Sequence, residues 1–258
     1  MEPSLWTNPL RWRKILTRNS NAKLSFRCQR NWDGRPISDT TIMHPHKDLG
    51  QQHWRKILTS GDTVIDATAG NGHDTLELVR QLSLCGGGHV FACDIQASAL
   101  SSSQNLIRSN LEMTVTEASS TRWLCTPLGQ SIDSSGPVEI NWCRGCHGGL
   151  MLNHSENSVK LIVFNLGYLP GGDKTVVTRS DTTISALKNG CNILQAGGCV
   201  SVTCYPGHPE GEEEERSVVD FASMLPQRLY SVYWHQWINQ RNARTGKRAP
   251  SLVLIQRV

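Results

Sequence analysis

The chain has 258 residues, 38% of them hydrophobic, enough to bury one substantial core and too few for two full domains. Its formal net charge of +4 sits at the start: residues 1–30 carry seven Arg/Lys and one acid, leaving 19 basic and 21 acidic groups in residues 31–258. This excludes a nucleic-acid signature spread over the whole chain, though not a local basic patch, and the lack of any run of 18 apolar residues excludes a membrane-spanning helix.

Arg11, Arg13, Lys14, Arg18, Lys23, Arg27, Arg30 and Arg35 stand among Ser, Thr and Asn with few acids. That composition resembles an organellar transit segment and equally a plain basic tail, and it lacks the long apolar core of a secretory signal. The expected division is a basic N-terminal extension over residues 1–41 and one domain over 42–258. A transit segment would place the protein in a chloroplast or mitochondrion; a plain tail would leave it cytoplasmic. Trp12-Arg-Lys-Ile-Leu-Thr17 recurs at Trp54 to Thr59, a single echo that makes no solenoid. Nine cysteines, an odd number in a chain that needs no staples, read as reduced thiols. Cys143-Arg-Gly-Cys146-His147 has the spacing of a haem attachment or half a zinc site. There is neither an export context nor a second cysteine pair at zinc-ribbon spacing, so no metal is expected. His73, Cys85, Cys93, Cys191, Cys199 and Cys204 read as buried fillers or loop residues.

Thr63-Val-Ile-Asp66 predicts a short strand running into Ala-Thr-Ala-Gly-Asn-Gly, then a helix through Leu76, Leu78, Val79 and Leu82 that Gly86-Gly-Gly88 stops. His89 to Cys93 is a second strand ending at Asp94, and Ala97 to Ser109 a helix with Leu100, Leu106 and Ile107 toward the sheet. Residues 112–137 lack a clean period and read as an irregular excursion. Val138 to Trp142 and Leu161 to Asn165 are the third and fourth strands. A helix from Asp181 to Leu194 leads past Gly197-Gly198 to a fifth strand, Cys199 to Tyr205. Glu212 to Glu215 opens a helix at its favoured acidic end, reads as a solvated start rather than chemistry, and the helix runs to about Leu225. Tyr230 to Trp237 and Leu252 to Arg257 are the last two strands. Strands and helices alternating at this spacing predict an α/β fold: a seven-stranded, mostly parallel, Rossmann-like sheet with helices on both faces.

Asp66-x-x-x-Gly70-Asn71-Gly72 lies between a strand and a helix, as a nucleotide-binding turn must. Its glycines permit a tight turn, and the helix start favours a carboxylate or phosphate. Asp94, at the end of the second strand, can accept both ribose hydroxyls of an adenosine. A coincidental loop in another α/β protein is the bland alternative. A dinucleotide fingerprint wants glycine where Thr75 stands, which weakens a dehydrogenase, and no Gly-Lys-Ser/Thr occurs for a P-loop. Asp66 ahead of Gly-Asn-Gly is instead similar to the first motif of S-adenosyl-L-methionine methyltransferases, with its carboxylate toward the methionine amino group.

Asn165-Leu-Gly-Tyr-Leu-Pro-Gly-Gly-Asp-Lys174 leaves the fourth strand. It resembles the (Asn/Asp)-Pro-Pro-Tyr loop with which some S-adenosylmethionine enzymes hold an amine. Methyl transfer asks mainly for orientation and electrostatics, and acceptors for the N–H bonds aim an amine lone pair. The side-chain oxygen of Asn165 and the carbonyls of Leu166 or Gly167 qualify. Tyr168 can stack on a base or bond through its hydroxyl, or pack with Leu169 at the strand exit. Gly171 and Gly172 let the loop fold closely, and Asp173 is either a proton acceptor or a turn residue. His208, in Pro206-Gly-His-Pro209, is a candidate proton acceptor or phosphate ligand, or a surface histidine without a role. His147 follows the third strand and is a candidate at the adenine or the target base, and Asn239, Arg241 and Asn242 are candidates for a substrate cleft.

Asp66-Ala-Thr-Ala-Gly-Asn-Gly-His-Asp74, Phe91-Ala-Cys-Asp-Ile-Gln96, the Asn165 to Lys174 motif, Tyr205-Pro-Gly-His-Pro-Glu-Gly211 and Ile238-Asn-Gln-x-Asn242 are similar to the YtqB/MnmM-type putative rRNA methylase family over residues 42–258. The resemblance implies a class I S-adenosylmethionine-dependent methyltransferase. Its bacterial members methylate the aminomethyl nitrogen of 5-aminomethyl-(2-thio)uridine at the tRNA wobble position. Carried over, it implies Asp66, Gly70, Asn71, Gly72, Asp94, Gln96, His147 and Asn165 at the cofactor, and Asn165, Tyr168, Asp173 and His208 at the reaction. Gly171, Gly172, Asn239, Asn242, Arg244 and Lys247 would face the substrate. The partners expected are a tRNA anticodon stem-loop and, in a homodimer, a second copy, with no membrane. The basic extension resembles a plant-like, organelle-targeted version, and Arg244, Lys247 and Arg248 add charge suited to anticodon-stem phosphates. The rival expectations are a methyltransferase for rRNA or a small-molecule amine, and a non-catalytic RNA-binding protein that keeps the fold.

Overall fold

Alternation along the central strands dictates the layers. In β1 (Thr63–Asp66) Val64 faces one side and Ile65 the other; in β6 (Val159–Asn165) Leu161 and Val163 oppose Ile162 and Phe164. All six are buried, so both faces need a cover, and crossover helices between parallel strands supply it. One face carries α1 (Pro45–Ile57), α2 (His73–Cys85) and α3 (Ala97–Asn110), through Trp54, Leu78, Leu82 and Ile107. The other carries α4 (His147–Met151), α5 (Ser180–Ile193) and α6 (Pro209–Ser223), through Met151, Leu187 and Val218.

A computed structural model describes residues 45–114, 121–127, 136–167, 178–240 and 246–258. The N-terminal extension, Tyr168, Gly171, Gly172, Asp173, Arg241, Asn242 and Arg244 lie outside the described residues. Among the described residues no helix is long and apolar enough to cross a membrane.

The remaining strands are β2 (Gly88–Asp94), β3 (Leu111–Thr114), β4 (Arg122–Pro127), β5 (Val138–Arg144), β7 (Leu194–Cys204), β8 (Tyr230–His235) and β9 (Ser251–Arg257). They join one sheet in the order β3-β4-β5-β2-β1-β6-β7-β9-β8. The five central strands, β5 to β7, run parallel, and antiparallel pairs flank them on both sides. The Rossmann-like α/β expectation with helices on both faces holds. The expectation of seven mostly parallel strands does not: the described residues form nine, and the sheet is mixed.

The two extra strands come from the stretch expected to be irregular. In β4 Trp123 and Cys125 face inward and are buried, while Leu124 stands 42% exposed on the outer face, so the polar-apolar alternation that marks a strand is broken. Trp123 meets Trp142 of β5 edge-on at 5.0 Å, and the Arg108 guanidinium lies 4.7 Å over its ring. This covers the β5 edge, which would otherwise end the parallel core.

Two helices have no counterpart in the sequence reading. In α1 Gly50 and a run of polar residues mask the apolar stripe, and α4 is only five residues long. α2 ends as expected, on Gly86 at φ 108°, where its amide returns to the last turn.

From β1 the chain crosses to β2 on one side, and β6 pairs with β1 on the other, so their carboxyl ends open a crevice at the point where the strand order reverses. Leu161 is fully buried between β1 and β7 in the middle of this core. Leu161→Ala is expected to cost about 2–5 kcal/mol of unfolding free energy in urea titration; a cost under about 1 kcal/mol would mean this layer collapses around the gap.

Candidate active site

The loop after β1 is tied to both neighbouring strands. Ala67 donates its amide to the Val163 carbonyl and Ala69 donates to Cys93, both at 2.8 Å. Ser103 of α3, fully buried, donates from its hydroxyl to the Gly70 carbonyl at 2.8 Å. Gly72, at φ 86°, begins α2, and a Cβ there would meet the Ser103 backbone at 2.7 Å. Here glycine is required both by conformation and by the close approach. No side chain caps α2, so its first amides are left for an anionic group.

Three carboxylates converge at this loop. Asp66 is completely buried, accepts from the Thr75 hydroxyl at 2.5 Å and from the Thr68 amide at 3.2 Å. Burial, and then the charge of Asp74, push its pKa up to about 7, with a smaller push from Asp94. Asp94 accepts from the Gly70 amide at 3.0 Å through one oxygen and from the Gln96 amide at 2.8 Å through the other. Those two bonds orient the carboxylate, and each oxygen keeps a second lone pair.

His147 starts α4, edge-on to Phe164 at 5.6 Å, and its Nε2 is buried without a hydrogen-bond partner. Burial lowers its pKa, opposed by a hydrogen bond to the Thr182 backbone and by the charge of Asp94. The ring thus keeps a buried nitrogen without a hydrogen-bond partner. Cys143 is paired in register with Cys93 and interacts with its side chain; among the described residues no group of three His, Cys, Asp or Glu could hold a metal.

Asn165 connects the β1 loop to the opposite side of the crevice. Its amide donates to the Thr68 hydroxyl at 2.7 Å, and its Nδ2 donates to Asp74 at 3.0 Å. A carboxylate only accepts, so Asp74 fixes the carboxamide with its NH₂ inward and leaves Oδ1 facing away. Lys47 of α1 reaches the other oxygen of Asp74 at 3.8 Å. Tyr205, at the exit of β7, shares a side-chain hydrogen bond with Asn165; burial and then Asp74 push its phenol up to about 12. His46 is buried between Tyr205 and Trp237, edge-on to both at 6.0 and 6.2 Å. Sequence reasoning missed Asp74, His46, Lys47 and Tyr205 as members of the site. Two of them stand in the quoted motifs, and two on a helix it did not foresee.

His208 is the N-cap of α6: its Nδ1 accepts from the Gly211 amide at 3.1 Å. Glu214 and Glu215, expected on a solvated helix start, are instead 5% and 3% exposed. Glu215 accepts from Ser251 and pairs with the partly exposed Arg248 at 2.8 Å. Lys247 is exposed near Glu210, and Asn239 is exposed beside Gln240, whose carbonyl accepts from Ala249 at 3.3 Å. The structure thus gathers Asp66, Gly70, Asn71, Gly72, Asp94, Gln96, His147 and Asn165 around one crevice, with His208 and Lys247 at the α6 side.

Known proteins match this arrangement. The family described as "Putative rRNA methylase" matches residues 90–255. The chain belongs to this family. A crystal structure of a "putative rRNA-methylase" from Clostridium thermocellum superposes with a TM-score of 0.67 at 30% identity, covering 85% of this chain and 100% of that one. A "putative methyltransferase" from Streptococcus mutans, in complex with SAH, superposes with a TM-score of 0.62 at 25% identity over 82% of this chain and 97% of that one. The chloroplastic tRNA (mnm(5)s(2)U34)-methyltransferase of Arabidopsis thaliana is 40% identical over 177 residues, 67% of this chain. The match spans 57% of the length of that relative.

The raised pKa of Asp66 has a measurable consequence. A carboxyl whose folded pKa exceeds its unfolded value stabilises the fold fully below about pH 4, and that stabilisation is lost as pH rises through about 7. Relative to Asp66→Asn, the wild type is expected to lose about 3–4 kcal/mol of unfolding free energy over that window. A pH-independent difference between the two would show that Asp66 is ionised throughout.

Proposed function

We propose that the protein transfers a methyl group from S-adenosylmethionine to the aminomethyl nitrogen of 5-aminomethyl-(2-thio)uridine at the tRNA wobble position, giving the 5-methylaminomethyl nucleoside. The observation that carries this reading is the Asp74–Asn165 hydrogen bond, which sets an amide acceptor at the exit of β6 beside the Gly70–Gly72 turn. The named activity of the Arabidopsis relative and the SAH held by the Streptococcus structure support it.

The residues present fit this cofactor. The uncapped start of α2 suits its carboxylate and the oriented oxygens of Asp94 the ribose hydroxyls, while Asp66, buried beneath the turn, acts on its ammonium through charge rather than contact. The unpartnered Nε2 of His147 suits an N–H of the adenine. The cofactor supplies an electrophilic methyl group on a sulfonium.

The chain's own residues then hold and orient the amine. Asn165 Oδ1 accepts an N–H of the substrate, which directs the lone pair and suits the positive charge growing on nitrogen. Asp74, immediately behind, adds a negative field, partly offset by Lys47. An alkylammonium has no lone pair, so a proton must leave before transfer. His208 Nδ1 lies 3.1 Å from the Gly211 amide and 3.2 Å from Glu210 Oε2, and in the tautomer that accepts from Gly211 the ring proton sits on Nε2 and makes it a donor. We therefore assign His208 to holding an oxygen of the substrate. Asp173, Tyr168 and the Gly171–Gly172 pair remain candidates for the reacting end, and Asn239, Asn242, Arg244 and Lys247 for the anticodon stem-loop. The chloroplast address of the Arabidopsis relative supports an organellar location.

Incubation with S-adenosylmethionine and tRNA carrying the aminomethyl group, followed by mass analysis of the nucleosides, is expected to show the methylaminomethyl product. Product on free amines or on rRNA alone would overturn the substrate assignment. Asn165→Ala is expected to lose turnover by on the order of 10²-fold with cofactor affinity little changed. Turnover equal to wild type in that variant would remove Asn165 from the reaction.

A further inference from the structure

The hydrogen bonds behind the exit of β6 run in one direction. Glu214 of α6 is buried and uses both oxygens: Oε1 accepts from the Thr183 hydroxyl at 2.7 Å and Oε2 from the Thr178 hydroxyl at 2.8 Å. A hydroxyl has one hydrogen. With that hydrogen committed to Glu214, Thr178 Oγ1 turns a lone pair outward, and it accepts the Gly167 amide at 2.8 Å. The Thr178 amide in turn donates to the Gly167 carbonyl at 3.1 Å. Gly167 is held from both sides, at φ 122°, a conformation open to glycine and strained for other residues.

Burying a carboxylate is costly, and burial raises the pKa of this one, with His208 nearby opposing that rise only after the two hydroxyls. The hydroxyls of Thr183 and Thr178 offset that cost, in that order. What a carboxylate provides, and a carboxamide or an apolar group does not, is a separate acceptor oxygen for each of two hydroxyls and no donor beside them. It thereby dictates the sense of every bond up to Gly167.

We propose that Glu214 is a positioning residue for the methyl-acceptor end of the site: by forcing Thr178 to donate inward it fixes the peptide of Gly167, two residues beyond Asn165, and with it the attitude of the strand exit that presents the Asn165 carboxamide. The proposal rests on the reading of Asn165 as the group that holds the amine. Glu214 touches no substrate; it acts through Thr178 and Gly167.

The test uses the full chain with Glu214→Gln, Thr178→Val, Thr178→Ser and the double variant E214Q/T178V. Glutamine offers one acceptor oxygen to two hydroxyls, and valine keeps the shape of threonine without its hydroxyl. The Gly167 amide is expected to exchange on the order of 10-fold faster in E214Q and T178V, and to stay protected in T178S. With tRNA substrate, kcat is expected to fall about 10-fold in E214Q and T178V, with cofactor Kd and overall thermal unfolding of T178V close to wild type, and T178S is expected to recover it. The double variant is expected to be no worse than T178V alone, because the two changes break one chain of bonds. Unchanged Gly167 exchange in both single variants, or additive losses in the double variant, would overturn the clamp. The exchange measurement needs no substrate. Faster Gly167 exchange in a protein inactive on tRNA would keep the clamp and remove the function; full tRNA activity in both variants with Gly167 still protected would do the reverse.

Discussion

The Asp74–Asn165 hydrogen bond joins two parts of the molecule that the chain reaches 91 residues apart. On one side lies the β1 loop with the start of α2, on the other the exit of β6. The Thr68 hydroxyl, accepting from the Asn165 amide, ties the same two parts through the backbone. Because a carboxylate accepts and never donates, this junction has a polarity as well as a position. It decides which end of the Asn165 side chain faces outward, and the acceptor chemistry of the crevice depends on that choice.

The charge balance of the crevice follows from the same residues. Asp66, Asp74 and Asp94 influence one another across the loop, and Lys47 is the cation placed against Asp74. Such a cluster repels anions in general and welcomes a ligand that brings positive charge in its own groups, such as an ammonium and a sulfonium. Burial first, and then the charges of Asp74 and Asp94, raise the pKa of Asp66. The Glu215–Arg248 pair shows the opposite solution, a buried acid matched by its own cation.

Much of this is legible in the sequence where chemistry and local pattern coincide. Asp66, Gly70, Gly72 and Asp94 are visible because a nucleotide turn places glycines and acids at set distances from strand ends, and the structure finds those ends where the apolar runs put them. The sheet is legible in its parallel centre and not at its β3–β4 edge, where Leu124 faces outward and hides the strand period. α1 is hidden by Gly50 and its polar neighbours, so His46 and Lys47 could not be foreseen beside Tyr205 and Asp74. The acidic run Glu212 to Glu215 reads as one feature in a line of letters. Folded into a helix it becomes two exposed residues and two buried ones, each with its own hydroxyl partners.

That last division makes α6 sensitive to length rather than to composition. His208 caps the helix by its side chain, and Glu214 and Glu215 follow at six and seven residues, one turned to Thr178 and Thr183, the next to Ser251 and Arg248. Consecutive helical positions point about 100° apart. A single residue inserted or deleted between Pro209 and Glu213 would swing both carboxylates off their partners at once, while substitutions at Glu212, Glu213 or Arg216 would change only the solvent face. The turn thus tolerates exchange of its exposed side chains far better than a change in the spacing from cap to carboxylates.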